Sequence, residues 1–128
     1  MPRPVAESNW AEIQSLRAGA PSLLLIGPGA VAEEFLVPLM PSLASPIVYL
    51  DAANPALPAT PVGTVIVRDV ARLTPPHQQR FLEWLNAQTE TAVIAVSARP
   101  LFPRVRRGAF SDPLYYRLNT VVVELNRD

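Results

Sequence analysis

Five short apolar segments recur along the chain and predict the strands of a single sheet. They cover positions 22–26, 46–50, 64–67, 92–96 and 120–125. Each is apolar at nearly every position instead of at alternate ones, which is typical of strands buried on both faces. Helical patterns separate several of them, and strands that alternate with helices favour parallel pairing, with helices covering both faces. The pattern therefore predicts an α/β fold with a five-stranded parallel sheet.

Three segments carry the signals of a helix. Asn9 and Glu12 have the spacing of a capping box before an amphipathic stretch that ends at Gly19. A glycine turn follows the first strand and precedes a helix over 30–37, and Thr74 supplies an N-cap to a helix that runs to about position 88. The chain is thus interpreted as an N-terminal helical segment over 1–21 and an α/β domain over 22–128, forming one domain overall.

Two connections lack a periodic pattern. Prolines at positions 55, 58 and 61 exclude a strand or a helix from most of 51–62, so this stretch is predicted to be a loop. The segment over 99–108 is predicted to be irregular, and it is rich in arginine.

The composition excludes several kinds of catalytic and metal-binding site. All eleven basic residues are arginines, and the chain has no cysteine and one histidine. Schiff-base enzymes, thiol nucleophiles and zinc–thiolate sites are therefore excluded, and neither a metal nor another cofactor is expected. Eleven acidic residues cancel the eleven basic ones, so the chain as a whole does not attract nucleic acid or anionic membranes. Its apolar runs are far shorter than the roughly 20 residues that span a bilayer, and a cytoplasmic, unanchored protein is expected.

Four segments resemble, in chain order, landmarks of the AAA+ domain of bacterial sigma-54 activators (enhancer-binding proteins). LLLIGPGAVAEEFL resembles the Walker A loop, GTVIVRDV the Walker B strand and AVIAVSARPL the sensor I strand. GAF followed by DPLYYRLNTVVVEL resembles the arginine-finger segment, and the string LYYRLN at 114–119 is the most specific part of the likeness. The resemblance covers about 23–125 and implies a P-loop NTPase-like three-layer sandwich with a five-stranded parallel sheet, here without the helical lid domain.

The phosphate loop of the resemblance is altered at several positions. The vestigial loop consists of Gly27, Gly29 and Ala30. Ala30 within it and Ala32 after it stand at positions where the family has further glycines. Glu33 stands at the position of the lysine that neutralises the γ-phosphate. A carboxylate ~4 Å from a phosphate charge costs about 4 kcal/mol at an effective dielectric near 20. The resemblance therefore implies a loop that has lost its affinity for a triphosphate.

The other catalytic positions of the family are replaced as well. Arg68 stands for the magnesium-binding Walker B aspartate, and the shorter Asp69 stands for the glutamate after it. Ala98 replaces the sensor I asparagine, Ser111 replaces the first of two arginine fingers, and Arg117 retains the second. Since nearly every part needed for ATP hydrolysis is lost, the chain is expected not to be an enzyme. The loop over 51–62 also leaves no room for the GAFTGA loop through which the family contacts sigma factor.

In the family, a lysine and an aspartate face each other across the phosphate site. Glu33 and Arg68 stand at these two positions, so the negative and the positive charge are swapped. One hypothesis is that they form an ion pair that plugs the pocket. The alternative is that the two side chains point separately into solvent. The sequence leaves both open.

The one local cluster of basic residues is the candidate surface for a partner. Arginine donates forked hydrogen bonds to carboxylates and phosphates, which suits an acidic protein or nucleic acid, although a solvated loop is the simpler interpretation. Arg117 is a further candidate for contact with a partner, or else a helix-terminal arginine beside Asp112 or the sheet. The cluster consists of Arg99, Arg104, Arg106 and Arg107.

The remaining conspicuous side chains are given structural roles. His77 lies in the first turn of a predicted helix with no serine and acid beside it, so it is not expected to be catalytic. Trp84, Tyr115 and Tyr116 are predicted to be core or half-buried packing residues.

Three functions remain open at this point. The leading hypothesis is a non-catalytic protein-interaction or regulatory module, derived from a sigma-54 activator domain and bound to a protein such as an intact AAA+ relative or a signalling protein. The first alternative is a residual nucleotide-binding or weakly ATP-hydrolysing domain that uses 27–30 as an anion nest. The second, less favoured, is a nucleic-acid accessory protein that uses the basic segment.

Overall fold

The structure of the chain is a computed structural model that describes residues 2–3, 22–88 and 90–127. The helix predicted from the capping box at position 9 lies outside these residues. Within the described part, helices pack on a sheet, as the predicted α/β fold class requires.

The sheet has five strands, all parallel to their neighbours, as predicted. Their order across the sheet is β2-β3-β4-β1-β5, so the first strand lies between the fourth and the fifth. A separate two-residue antiparallel pair joins Pro2–Arg3 to Asn126–Arg127. The strands are β1 (Ser22–Ile26), β2 (Ile47–Asp51), β3 (Thr64–Arg68), β4 (Ala92–Ser97) and β5 (Val121–Glu124).

Within the described residues, four α-helices connect the strands or follow them. None of the helices in the part of the chain that the structure describes is long and apolar enough to cross a membrane. Short 3-10 segments cover Val37–Ser42 and Val70–Arg72. The helices are α1 (Gly29–Leu36), α2 (Pro75–Ala87), α3 (Phe102–Arg106) and α4 (Asp112–Leu118).

The predicted irregular basic segment contains α3, which the sequence analysis missed. This helix has only five residues, so it is too short to show an apolar period. Pro103 lies in its first turn, where the missing N–H of proline costs nothing. The long connection after β2 holds neither a helix nor a strand, in agreement with its prolines.

Separate apolar cores lie on the two faces of the sheet and make it a three-layer sandwich. One core joins α2 and α4 to the sheet, and the other joins α1 and the 3-10 segment that follows it. Consecutive strand residues alternate between them: Leu24 belongs to the first core, and Leu23 and Leu25 belong to the second. This alternation explains why the strands are apolar at every position, since both of their faces are covered.

The carboxyl ends of the parallel strands meet at one edge of the sheet, where ligands bind in open α/β folds. The turn after β1, the last residue of β3 and the end of β4 lie at this edge. The residues that the resemblance assigns to the Walker A, Walker B and sensor I positions are therefore brought to one place.

Candidate functional site at the carboxyl edge of the sheet

The turn after β1 is held by contacts with its neighbouring strands. Gly27 donates a backbone hydrogen bond of 2.9 Å to the carbonyl of Ser97 at the end of β4. A Cβ atom at Gly27 would lie 3.1 Å from both Cβ and the carbonyl oxygen of Leu125. This glycine is thus used for close packing between strands.

Helix α1 begins at Gly29 and takes in the stretch that the resemblance assigns to the phosphate loop. The amide of Ala32 donates to the carbonyl of Pro28 at 3.0 Å, so it belongs to the helical hydrogen-bond pattern. Val31 and Ala32 are fully buried in the core beneath the helix. A phosphate cradle needs backbone amides that point at the ligand, and here a helical turn has taken the amide of Ala32.

The structure brings the charged groups of Glu33 and Arg68 together. Arg68 donates two parallel hydrogen bonds, from Nε to Oε2 at 3.1 Å and from Nη2 to Oε1 at 3.0 Å. The side chains remain 40% exposed for Glu33 and 53% exposed for Arg68. Such a forked pair fixes the direction of both side chains, at the positions that the resemblance aligns with the family's lysine and magnesium ligand.

The sheet register explains why Arg68 is so well placed. Asp51 of β2 pairs with Arg68 of β3, which puts Tyr49 diagonally across from Arg68 on the face that α1 covers. The guanidinium carbon of Arg68 lies 4.3 Å from the centre of the Tyr49 ring, in a cation–π contact. Arg68 is therefore held between an aromatic face and the Glu33 carboxylate.

These contacts also set the charges of the site. The hydrogen bonds that Arg68 donates to Glu33 raise the pKa of its guanidinium above its ordinary value, against a smaller opposing effect of burial. Because a base with a raised pKa loses its proton only at still higher pH, Arg68 stays cationic at neutral pH. Its charge compensates Glu33, so the repulsion that a phosphate would meet is weaker than that of the isolated carboxylate assumed from the sequence.

Two further positions that the resemblance assigns to catalysis lie at this edge of the sheet. Asp69 is exposed and adopts a left-handed conformation, with φ 52° and ψ 49°, that starts the following 3-10 segment. Ala98 is exposed just beyond β4. Among the residues described, no group of three or more His, Cys, Asp or Glu side chains is placed to hold a metal ion.

The four arginines of the predicted cluster are exposed on and around α3. Arg99, Arg104 and Arg107 line one depression of about 580 Å³ together with two prolines. Arg106 does not line it, although it belongs to the same helix. The structure thus brings three of the four together and separates the fourth.

Arg117 points into its own fold. Its Nη1 donates to Oγ of Ser22 at 3.1 Å, and its Nη2 donates to the carbonyl oxygen of Leu85 at 3.5 Å. Ser22 begins β1, so Arg117 lies at the amino edge of the sheet, opposite the Glu33–Arg68 pair. Of the roles considered for it, this placement corresponds to an arginine beside the sheet.

Gln78 is an organising residue that the sequence analysis did not identify. It is buried in α2, and its side-chain nitrogen donates to the carbonyl oxygens of Leu73 at 2.8 Å and Ala109 at 3.3 Å. Its side-chain oxygen accepts from the amide of Ser111 at 2.7 Å. Ser111 in turn caps α4 by accepting from the amide of Leu114 at 3.2 Å. A polar residue on an amphipathic helix gives no sequence signal of such burial.

The aromatic residues follow the predictions only in part. Trp84 is half-buried and donates from Nε1 to the carbonyl of Pro58 at 3.0 Å, and Tyr115 is half-buried beside Phe102. The prediction for Tyr116 is wrong, because its side chain is 62% exposed. Its ring meets Tyr115 edge-on at 5.5 Å, which leaves most of it in solvent.

Several known proteins resemble this chain in sequence or in fold. No family model matches the chain. It is 29% identical over 75 residues to the HTH-type transcriptional regulatory protein TyrR of Enterobacter agglomerans, a match that covers 49% of this chain and 14% of TyrR. The crystal structure of NtrX from Brucella abortus with ADP superposes with a TM-score of 0.71 at 18% identity, covering 91% of this chain and 35% of NtrX.

Two further structures have the same fold. The P-loop NTPase domain of a sigma-54 transport activator from E. coli gives a TM-score of 0.59 at 15% identity, covering 84% of this chain and 98% of that domain. RuvB T158V of Thermotoga maritima gives 0.60 at 13% identity, covering 94% of this chain and 45% of that protein. The P-loop NTPase-like fold and the resemblance to sigma-54 activator domains are thereby confirmed. The chain spans about a seventh of TyrR and a third of NtrX.

Proposed function

We propose that this chain is a non-catalytic regulatory module with an AAA+-like fold, which acts in the bacterial cytoplasm by binding another protein in the control of transcription or signalling. The observation that carries the proposal is the forked ion pair between Glu33 and Arg68, at the place where an active relative would hold the γ-phosphate and magnesium. The resemblance to sigma-54 activator domains supports the regulatory setting.

The ion pair opposes nucleotide binding in two ways. A phosphate that used Arg68 as its counter-ion would have to break both hydrogen bonds to Glu33 and then lie beside the released carboxylate. It would also meet a helical turn in place of a loop, because α1 starts at Gly29 and is anchored by the buried Val31 and Ala32. Opening that turn removes apolar side chains from the core, at about 25 cal/mol for each Å² exposed.

Hydrolysis lacks further groups. Arginine cannot bind magnesium at the Walker B position, and the methyl group of Ala98 cannot orient a water molecule. A module without this chemistry acts through its surface, and the partner class that we favour is an intact AAA+ relative or a signalling protein.

Calorimetric titration with ATP and magnesium tests the proposal, with phosphate release measured in parallel. The wild-type chain is compared with E33A/R68A, which removes the pair, and with E34A/R80A, which removes one exposed acid and one exposed arginine elsewhere. We expect no saturable heat up to about 1 mM ATP and no phosphate release for the wild type or the control. Binding gained only in E33A/R68A would identify the pair as the main barrier, whereas micromolar binding by the wild type would contradict the proposal and favour a residual nucleotide-binding domain.

A further inference from the structure

A trough follows the carboxyl edge of the sheet past the ends of β2, β3 and β4. It consists of three adjoining depressions of about 390, 230 and 580 Å³. The first and second share Asp69 and Arg72, and the second and third share Arg99 and Arg104. Because neighbouring depressions have lining residues in common, they form one continuous surface.

Five arginines and two aspartates line this trough. Arg72 was not part of the predicted cluster, and the 3-10 segment after β3 brings it to Arg99 and Arg104 in the middle depression. Arg68, at one end of the trough, is paired with Glu33. Within 22–88 and 90–127, no carboxylate lies within 4.0 Å of the guanidinium groups of the other four arginines that line the trough. These four are Arg72, Arg99, Arg104 and Arg107.

Local hydrogen bonds fix the backbone at two places along this lining. In the middle depression, the buried hydroxyl of Ser97 donates to the carbonyl of Arg99, which sets the backbone where the chain leaves β4. In the first depression, the carboxylate of Asp51 accepts from the amide of Ala53 at 3.0 Å, which closes a local turn. Arg99 thus projects from an ordered backbone, which lowers the entropy lost when a ligand binds.

We propose that this trough binds an acidic polypeptide segment of a partner protein. The inference rests on the proposed function, since it names the surface and the chemistry by which the module would bind a protein. Planar guanidinium groups match carboxylates with paired hydrogen bonds, and four of them along one surface suit a run of glutamate and aspartate side chains. Charge complementarity of this kind also raises the rate of association.

Single-stranded nucleic acid fits the trough less well. Base recognition of that kind depends on aromatic faces on which bases stack, interleaved with basic groups. Tyr49 is the one aromatic residue that lines the described trough, and Arg68 already covers its ring at 4.3 Å. The carboxylates of Asp51 and Asp69 line the first depression, and Asp69 also lines the second, so the arginines of the second and third depressions are the ones that would contact an acidic segment.

A fluorescein-labelled decaglutamate peptide is the probe for this surface, and binding is measured by fluorescence anisotropy at low salt. The variant R99A/R104A removes two arginines from the trough, and R80A/R106A removes two exposed arginines that lie outside it. We expect the peptide to bind, R99A/R104A to lose about tenfold or more in affinity, and R80A/R106A to stay within about twofold of the wild type. Circular dichroism establishes that both variants are folded.

Several results would overturn the inference. They are the absence of binding at about 1 mM peptide, an equal loss in R80A/R106A, or tighter binding of a dT10 oligonucleotide that R99A/R104A also weakens. Concentration-dependent self-association that R99A/R104A abolishes would assign the surface to a second copy of the chain instead. The ATP titration is independent of these measurements: ATP binding with intact peptide binding would contradict the proposed function alone, and the reverse pattern would contradict the trough alone.

Discussion

At some positions the fold requires a particular residue and at others it does not, and two glycines illustrate the difference. A Cβ at Gly63 would lie 2.5 Å from the backbone carbon and oxygen of Ala44, and Gly63 is fixed by backbone hydrogen bonds to Pro46 and Ala92. At Gly29, in the first turn of α1, nothing lies within 4 Å of the same atom.

Replacing these glycines with alanine should therefore have opposite effects on stability. We expect Gly63→Ala to lower the free energy of unfolding by about 2 kcal/mol or more, since the backbone it meets cannot move aside. Gly29→Ala should leave it unchanged or raise it by up to about 0.5 kcal/mol, because alanine restricts the unfolded chain and suits a helix. Urea unfolding followed by circular dichroism measures both, and equal losses in the two variants would contradict the assignment.

At the scale of elements, buried polar side chains join segments that apolar packing alone would not orient. Gln78 of α2 links the residues before its own helix to the start of α4. Replacing it with leucine leaves the amide of Ser111 and two carbonyl oxygens without this partner.

We expect Gln78→Leu to lower the free energy of unfolding by about 2 to 4 kcal/mol, because each unsatisfied buried group costs about 1 to 3 kcal/mol. The matched control is Gln79→Leu, which removes an exposed amide that bonds only to Glu83 and should change stability by less than about 0.5 kcal/mol. Chemical denaturation of the pair measures the difference. Similar values for the two variants would show that the network at Gln78 does not stabilise the fold.

Arg117 connects α4 to the start of β1 and to the last turn of α2. Its replacement by alanine removes a charged donor from the buried hydroxyl of Ser22, and we expect a loss of about 1 to 2 kcal/mol. Arg117→Lys should recover little of it, because one ammonium group does not reproduce the forked geometry. Thermal unfolding measures both variants. Unchanged stability combined with weaker binding of the decaglutamate peptide would instead place Arg117 in contact with a partner.

The elements that the sequence predicts well are those whose pattern is local. The five strands appear as continuous apolar runs, and Thr74 caps α2 as expected by accepting from the amide of His77 at 3.4 Å. Three features were not predicted: the helix α3 is too short to show an apolar period, and the burial of Gln78 and the exposure of Tyr116 depend on contacts between distant segments. The family resemblance placed Glu33 and Arg68 near each other, but only the strand register shows that Tyr49 completes the arrangement.

For the molecule as a whole, the apolar pattern predicts how many strands there are and that they are parallel, but not their order. Insertion of β1 between β4 and β5 is a non-local pairing that no short window of sequence encodes. The same order makes β4 the middle strand with β3 and β1 on either side, and all three have side chains in both cores.

Because the central strands belong to both cores, neither core can be lost while the other stays intact. We therefore expect a single cooperative transition in urea, with coincident midpoints for far-ultraviolet and near-ultraviolet circular dichroism. Separate midpoints would indicate that the two sides of the sheet unfold independently.

The start of α1 at Gly29 bears on attempts to give this chain a phosphate loop. Glycine in place of Ala30 or Ala32 would weaken the helix by about 1 kcal/mol each, yet the first turn would stay helical as long as its buried side chains remain in the core. Lysine in place of Glu33 would not weaken the helix, but it would remove the carboxylate that pairs with Arg68. Conversion to a phosphate-binding loop therefore requires several simultaneous changes, because each one made alone lowers stability without yet allowing a phosphate to bind.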